Sequence, residues 1–157
     1  LSHLVLEHAV FPGKLLLAPP LIGLALSGCA VLSPFASLSP RECMTRVMYF
    51  ESNRSSEEGM LAVGTVVMNR LADPRYPKSI CAVVGQKNQF APGVLHKPMK
   101  EKRSLQRADR MADAVLRGAR HPAIPQAKHF HQAGLRFPYN NMHYVLEAGG
   151  NEFYNKS

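Results

Sequence analysis

Glu51 is the residue of this chain whose setting most invites chemistry. In "CMTRVMYFESN" it follows Phe50, Val47 and Cys43 at spacings of one, four and eight residues, which at helical period sets a carboxyl on an apolar stripe. It also stands near the C-terminal end of that helix. Loss of water and the negative end of the macrodipole both disfavour its ionised form there and push its pKa up. A glutamate kept protonated near neutral pH is a general acid, and protonation of a glycosidic oxygen is the reaction that most often recruits one. The residues alone also allow a plainer reading, a helix-edge carboxyl hydrogen-bonded to a neighbour.

The second candidate is the pair His129 and His131, with His121 and His143 in the surrounding sequence. Histidines two apart on a strand share a face and can bind zinc, yet the chain has no HExxH and no clear third ligand. Hydrogen bonding to Glu51 or to substrate is the reading preferred here. No metal and no cofactor are expected.

These side chains need elements to hold them. Ser39, Pro40 and Glu42 form a capping box with proline in the first turn, predicting a helix from Pro40 to about Asn53. "SNRSS" breaks it, and Ser55 with Glu58 forms a second box. The helix that follows is apolar over most of its circumference (Met60, Leu61, Val63, Gly64, Thr65, Val67, Met68, Leu71), as a central helix is, and must stop before Asp73-Pro74. "SICAVV" is a short apolar piece, helix or strand. A third amphipathic helix is predicted from about Glu101 to Arg117, with Gly118 as a left-handed cap. Beyond it "AKHFHQAG" alternates like a strand, with Phe130 on the face opposite the two histidines, and "GGNEFYNKS" has turn glycines followed by two aromatics. There are no internal repeats.

The first residues read as a targeting segment. After Lys14 comes "LLLAPPLIGLALSGC", shorter than the roughly 20 apolar residues of a membrane span and broken by Pro19-Pro20, which suits a signal-peptide core. Leu26, Ser27, Gly28 and Cys29 resemble a bacterial lipobox, with Cys29 the lipidated residue; an ordinary secretory signal with an incidental cysteine is the alternative. The expected organisation is a signal peptide over 1–28, a lipidated cysteine and Ser/Pro-rich tether over 29–38, and one folded domain over 39–157. By resemblance to Gram-negative lipoproteins, Ala30 after the cysteine implies a periplasmic protein anchored at the inner face of the outer membrane. With Cys29 so used, Cys43 and Cys81 are left as an even pair in an oxidising compartment, either a disulfide or two buried thiols. A bridge would contribute roughly 3 to 4 kcal/mol by the chain-entropy account.

The formal net charge is +8, from 19 Lys+Arg against 11 Asp+Glu, and it is unchanged by removal of 1–28. That balance favours an anionic partner. Lys97, Lys100, Lys102, Arg103, Arg107 and Arg110 concentrate it, either as a solvated helix face or as a track for a polyanion. An export signal argues against nucleic acid. A monomer is expected.

The run "CMTRVMYFESNRSSEEGMLAVGTVVMNRL", then "YPKSICAVV", "NQF", "HFH" and "GGNEFY", resembles the SleB-type cell wall hydrolases, the spore-cortex-lytic enzymes and their Gram-negative relatives, over about Glu42 to Tyr154. The resemblance implies a lysozyme-like, mainly α (α+β) single domain with a small β element, acting on peptidoglycan as a lytic transglycosylase. It carries the family's catalytic glutamate onto Glu51, its glycine onto Gly59, and its asparagine-arginine pair onto Asn69 and Arg70. Its glutamine-phenylalanine falls on Gln89 and Phe90, its histidine-phenylalanine-histidine on His129, Phe130 and His131, and its closing aromatics on Phe153 and Tyr154. Substrate contacts are expected from Asn69, Gln89, Phe90, His129, His131, Tyr139 and Tyr154. Ordinary packing is an equal reading for Phe90 and Tyr154, and Tyr49 and Tyr76 are alike in this. The chain departs from the pattern at Ser55, where many relatives carry a second glutamate, at Asn151, where histidine is common, and at Tyr139, where tryptophan is often seen.

One carboxyl suffices for a lytic transglycosylase. The muramoyl 6-hydroxyl attacks within the same sugar, so no second carboxylate need activate water. Two rivals remain at this stage. One is a zinc-dependent peptidoglycan amidase using the histidines; the other is a non-catalytic lipoprotein that holds peptidoglycan with its basic helix.

Overall fold

The computed structural model describes residues 38–157. Four helices, α1 (Pro40–Glu51), α2 (Glu57–Ala72), α3 (Ile80–Val84) and α4 (Lys102–Leu116), precede three strands, β1 (His129–Gln132), β2 (Met142–Ala148) and β3 (Asn151–Lys156). The domain is mainly α with a small β element. The signal segment, Cys29 and nearly all of the tether lie outside the described residues. Among those described, no helix is long and apolar enough to cross a membrane.

Helix α1 starts as its capping signal requires: the Ser39 hydroxyl accepts from the Glu42 N–H at 3.1 Å, with Pro40 in the first turn. The start of α2 differs by one residue from the sequence reading. The Asn53 carboxamide oxygen takes both the hydroxyl (2.8 Å) and the N–H (3.1 Å) of Ser55, so the cap passes to Ser56, whose hydroxyl accepts from Gly59 N–H at 3.0 Å. "SICAVV" resolves as the helix α3, capped by Ser79.

Helix α2 is the hub, packing on α1, α3 and α4. Its Met60, Val63, Val66 and Val67 are fully buried with Met44, Val47 and Met48 of α1 and Ala108, Ala112 and Val115 of α4. Each large apolar side chain removed from water in this way contributes roughly 1.5–3 kcal/mol. At the far end of the α1–α4 contact, Arg41 grips Asp113 through two nitrogens, at 2.6 and 3.0 Å. Cys43 and Cys81 form a disulfide, tying α1 to α3.

The sheet has strand order β1-β3-β2, antiparallel throughout. Strands β2 and β3 are additions to the sequence reading, which assigns strand character only to the β1 segment. Gly149 (φ 59°) and Gly150 (φ 81°) make the two-residue turn between β2 and β3, a turn that requires left-handed backbone at both positions. A bulge at Val145 shifts the register: Tyr144 pairs with Tyr154, yet Leu146 pairs with Phe153. Phe130, Phe153, Leu146 and Ala148 therefore face the helices, while His129, His131, Tyr144 and Tyr154 share the outer face.

Candidate active site

Glu51 is the last residue of α1. Its carboxylate oxygen accepts a hydrogen bond from the Ala91 N–H at 2.5 Å. It borders a cavity of about 480 Å³ with Phe50, Asn53, Gln89, Phe130, His131 and the β2–β3 turn. Among the described residues, Glu51 is the one acidic residue on that cavity wall. Burial raises its pKa above the ordinary glutamate value, against the opposing pull of the Ala91 N–H and the positive charges of Arg70 and Lys97.

The helix end that presents Glu51 is clamped by the hairpin turn. The Asn151 carboxamide donates to the Glu51 carbonyl at 2.5 Å, and the Asn53 N–H donates to the Gly149 carbonyl at 2.6 Å. The start of α2 presses on the same turn. A Cβ added at Gly59 would lie 2.5 Å from the Gly149 Cα and 2.9 Å from its nitrogen, so only glycine lets these backbones meet.

The expected site residues separate into three groups. Gln89 and His131 join Glu51 at the cavity. Asn69 and Phe90 do not. Asn69 gives both amide hydrogens to backbone, to Ile124 O at 3.1 Å and Ala127 O at 2.9 Å, and so holds the segment that leads into β1. Phe90 is buried, its ring 6.1 Å from that of Phe130 and beneath the Arg70 guanidinium at 5.0 Å. The third group, His129, Tyr139 and Tyr154, lies on or beside the outer sheet face, with His129 stacked on Tyr154 at 5.4 Å.

Arg70 is nearly fully buried. It donates from Nε to Lys128 O at 2.8 Å and lies over Tyr76 and Phe90, and its Nη1 has no hydrogen-bond partner among the described residues. Together Asn69 and Arg70 fasten α2 to the approach of β1 by three hydrogen bonds. His131 donates from Nδ1 to the Gln132 carbonyl at 2.9 Å, which in the neutral ring leaves Nε2 to accept from the Tyr144 hydroxyl at 2.8 Å. Among the described residues no group of three His, Cys, Asp or Glu side chains converges as metal ligands would. His121 lies elsewhere, its backbone N–H bonded to the Thr65 hydroxyl at 2.9 Å.

Sequence reasoning did not anticipate Asn53 or Phe130 as cavity walls, nor Asn151 as the clamp on α1. Among the described residues Asn151 is the sole side chain that hydrogen-bonds the Glu51 backbone, and its partner is 100 residues away. No local pattern signals that bond.

The family model for cell wall hydrolases matches residues 54–154, beginning just after Glu51 and taking in α2, the cavity loop and the sheet. The chain belongs to the cell wall hydrolase family. As a cell wall hydrolase it is an enzyme that degrades peptidoglycan. Two solved structures share this hydrolase's fold. The crystal structure of the catalytic domain of the Bacillus cereus SleB protein aligns with a TM-score of 0.61 at 18% identity, covering 82% of this chain and 99% of that one. The catalytic domain of the germination-specific lytic transglycosylase SleB from Bacillus anthracis aligns with a TM-score of 0.58 at 18% identity, covering 78% and 100%. No curated protein sequence matches the chain.

Proposed function

We propose that this cell wall hydrolase is a lytic transglycosylase with Glu51 as its single acid and base. Glu51 gives its proton to the glycosidic oxygen between MurNAc and GlcNAc as the C1–O bond breaks. The muramoyl C6 hydroxyl then attacks C1, its proton passes to the Glu51 carboxylate, and the acid is restored. The products are a GlcNAc chain end and a 1,6-anhydro-MurNAc end.

The observation that carries this reading is the solitary, partly buried carboxyl on the cavity wall. Inverting and retaining hydrolysis both call for a second carboxyl, at about 6.5–9.5 Å and 5–5.5 Å respectively, and among the described residues this cavity offers none. Intramolecular attack removes that need and adds a high effective molarity. The reaction is also the one named for a similarly folded catalytic domain.

In the same proposal the enzyme is exported, lipidated at Cys29 and held at the inner face of the outer membrane, where its substrate lies. The Cys43–Cys81 disulfide supports an oxidising compartment. The decisive experiment digests purified sacculi with wild type and with Glu51→Gln, then weighs the products. Wild type should release fragments one water lighter than hydrolytic ones, and Glu51→Gln should bind sacculi without cutting them. Reducing ends alone would overturn the transglycosylase assignment.

A further inference from the structure

We propose that the outer face of the sheet is a glycan-binding platform that extends the Glu51 cavity along the strand; this rests on the reading of the substrate as a glycan. Three large rings stand out in water there, Phe137 at 41%, Tyr139 at 64% and Tyr144 at 47% exposure. The fold gives them no packing role that would require such exposure. They are nonetheless ordered against one another: Phe137 and Tyr139 are parallel within 10° at 6.2 Å, and Phe137 and Tyr144 each meet His131 edge-on, at 4.9 and 5.4 Å. Preorganised rings lose little entropy on binding. Each offers a flat apolar face, the complement of a pyranose face lined by C–H bonds, and the two tyrosines add a hydroxyl at the rim.

Between the rings lies a hollow of about 100 Å³, bounded by His131, Phe137, Tyr139, Met142, Tyr154 and Lys156. Small-molecule pockets begin near roughly 300 Å³, so this hollow suits a substituent of a larger ligand lying across the face, as an acetamido arm would. Continuity argues for the occupant. His131 borders both this hollow and the Glu51 cavity, so a polymer cut at Glu51 and running over the edge strand β1 reaches the rings without a gap.

The test uses the full chain carrying Glu51→Gln, titrated by calorimetry with chitohexaose and with chitobiose. Adding Phe137→Ala, Tyr139→Ala and Tyr144→Ala should weaken hexasaccharide binding about tenfold and leave disaccharide binding where it was. Replacing both tyrosines by Phe instead should keep the hexasaccharide affinity. Equal hexasaccharide affinity with and without the three rings overturns the proposal, as does a Phe variant as weak as the Ala one. All three rings are exposed, so the melting temperature should hold; should it fall, Tyr139→Ala alone carries the same comparison. If Glu51→Gln still shortens the hexasaccharide, the role given to Glu51 fails, while the ring comparison still reads the platform.

Discussion

The carboxamide of Asn151 donates to the main-chain carbonyl of Glu51 across 2.5 Å, joining the first strand residue of β3 to the last residue of α1. Glu51 ends a helix, so its carbonyl has no intrahelical donor, and Asn151 supplies one. Replacing Asn151 with Ala leaves a part-buried carbonyl unpaired, a loss of about 1–3 kcal/mol. The expected outcome is a lower melting temperature and, on protein shown to be folded, a fall in kcat larger than in substrate affinity. Turnover unchanged in folded Asn151→Ala would show that the clamp does not position Glu51.

Gly59→Ala should be more damaging than its size suggests. The added methyl meets the Gly149 backbone as well as the Ser52 hydroxyl, and the backbone has no rotamer by which to yield, so α2 and the hairpin must part. Overpacking of this kind costs roughly 1–3 kcal/mol. Urea denaturation should show the lower midpoint, and activity should fall with it as the turn withdraws from Glu51.

Activity should decline on the alkaline side as Glu51 loses its proton, with the midpoint above the ordinary glutamate range because burial dominates its surroundings. The sign for stability follows. A carboxyl whose folded pKa is raised contributes stability at acid pH, and that contribution disappears as pH rises through the folded value. Three groups oppose the effect of burial on the carboxyl: the Ala91 N–H, Arg70 and Lys97. Arg70→Met should move the limb to higher pH by removing a favourable charge, whereas Arg70→Lys should leave it nearly in place. A kcat/KM profile against pH reads both, and an Arg70→Met limb that fails to rise would rule out the field of Arg70 as a factor.

The disulfide closes a loop with a sequence separation of 38. Paired Cys43→Ala and Cys81→Ala changes should lower stability by about 4 kcal/mol on the chain-entropy account. Denaturation of the oxidised, the reduced and the doubly substituted protein should show the last two unfolding together, well below the first.

The helices were legible because each writes its own period and caps locally. Ser39 and Pro40 act as read, while the Glu42 carboxylate takes Arg46 at 3.1 Å, and α4 keeps its apolar face and its left-handed glycine, Gly118 at φ 108°. The cap of α2 slipped to Ser56 because Asn53 engages Ser55, a competition between adjacent polar residues that propensity does not rank. Strand β2 was hidden by its bulge. Val145 breaks the alternation, and large residues occupy both faces. Glu51 was legible as a partly desolvated carboxyl from its position on the apolar stripe. Asn69 was not, since its amide is committed to carbonyls more than 50 residues away, and nothing local distinguishes such an asparagine from one that meets a ligand.

Half of the basic run also resolves into local structure. Arg110 pairs with Glu57 at 2.8 Å, and Arg107 donates to Arg54 O at 2.6 Å, while Lys97 acts on Glu51 through its charge. A long helix rich in arginine is therefore in part a fastening between α4 and the start of α2. Exposed pairs of this sort add little stability on their own.

Because the bond from Asn151 to Glu51 joins residues 100 apart in sequence, the acid and the turn that steadies it are delivered at opposite ends of synthesis. A chain halted before its final hairpin would carry the acid on an unsupported helix tip. An enzyme able to breach a cell wall would thus come into working order only once its last strand had been made and folded.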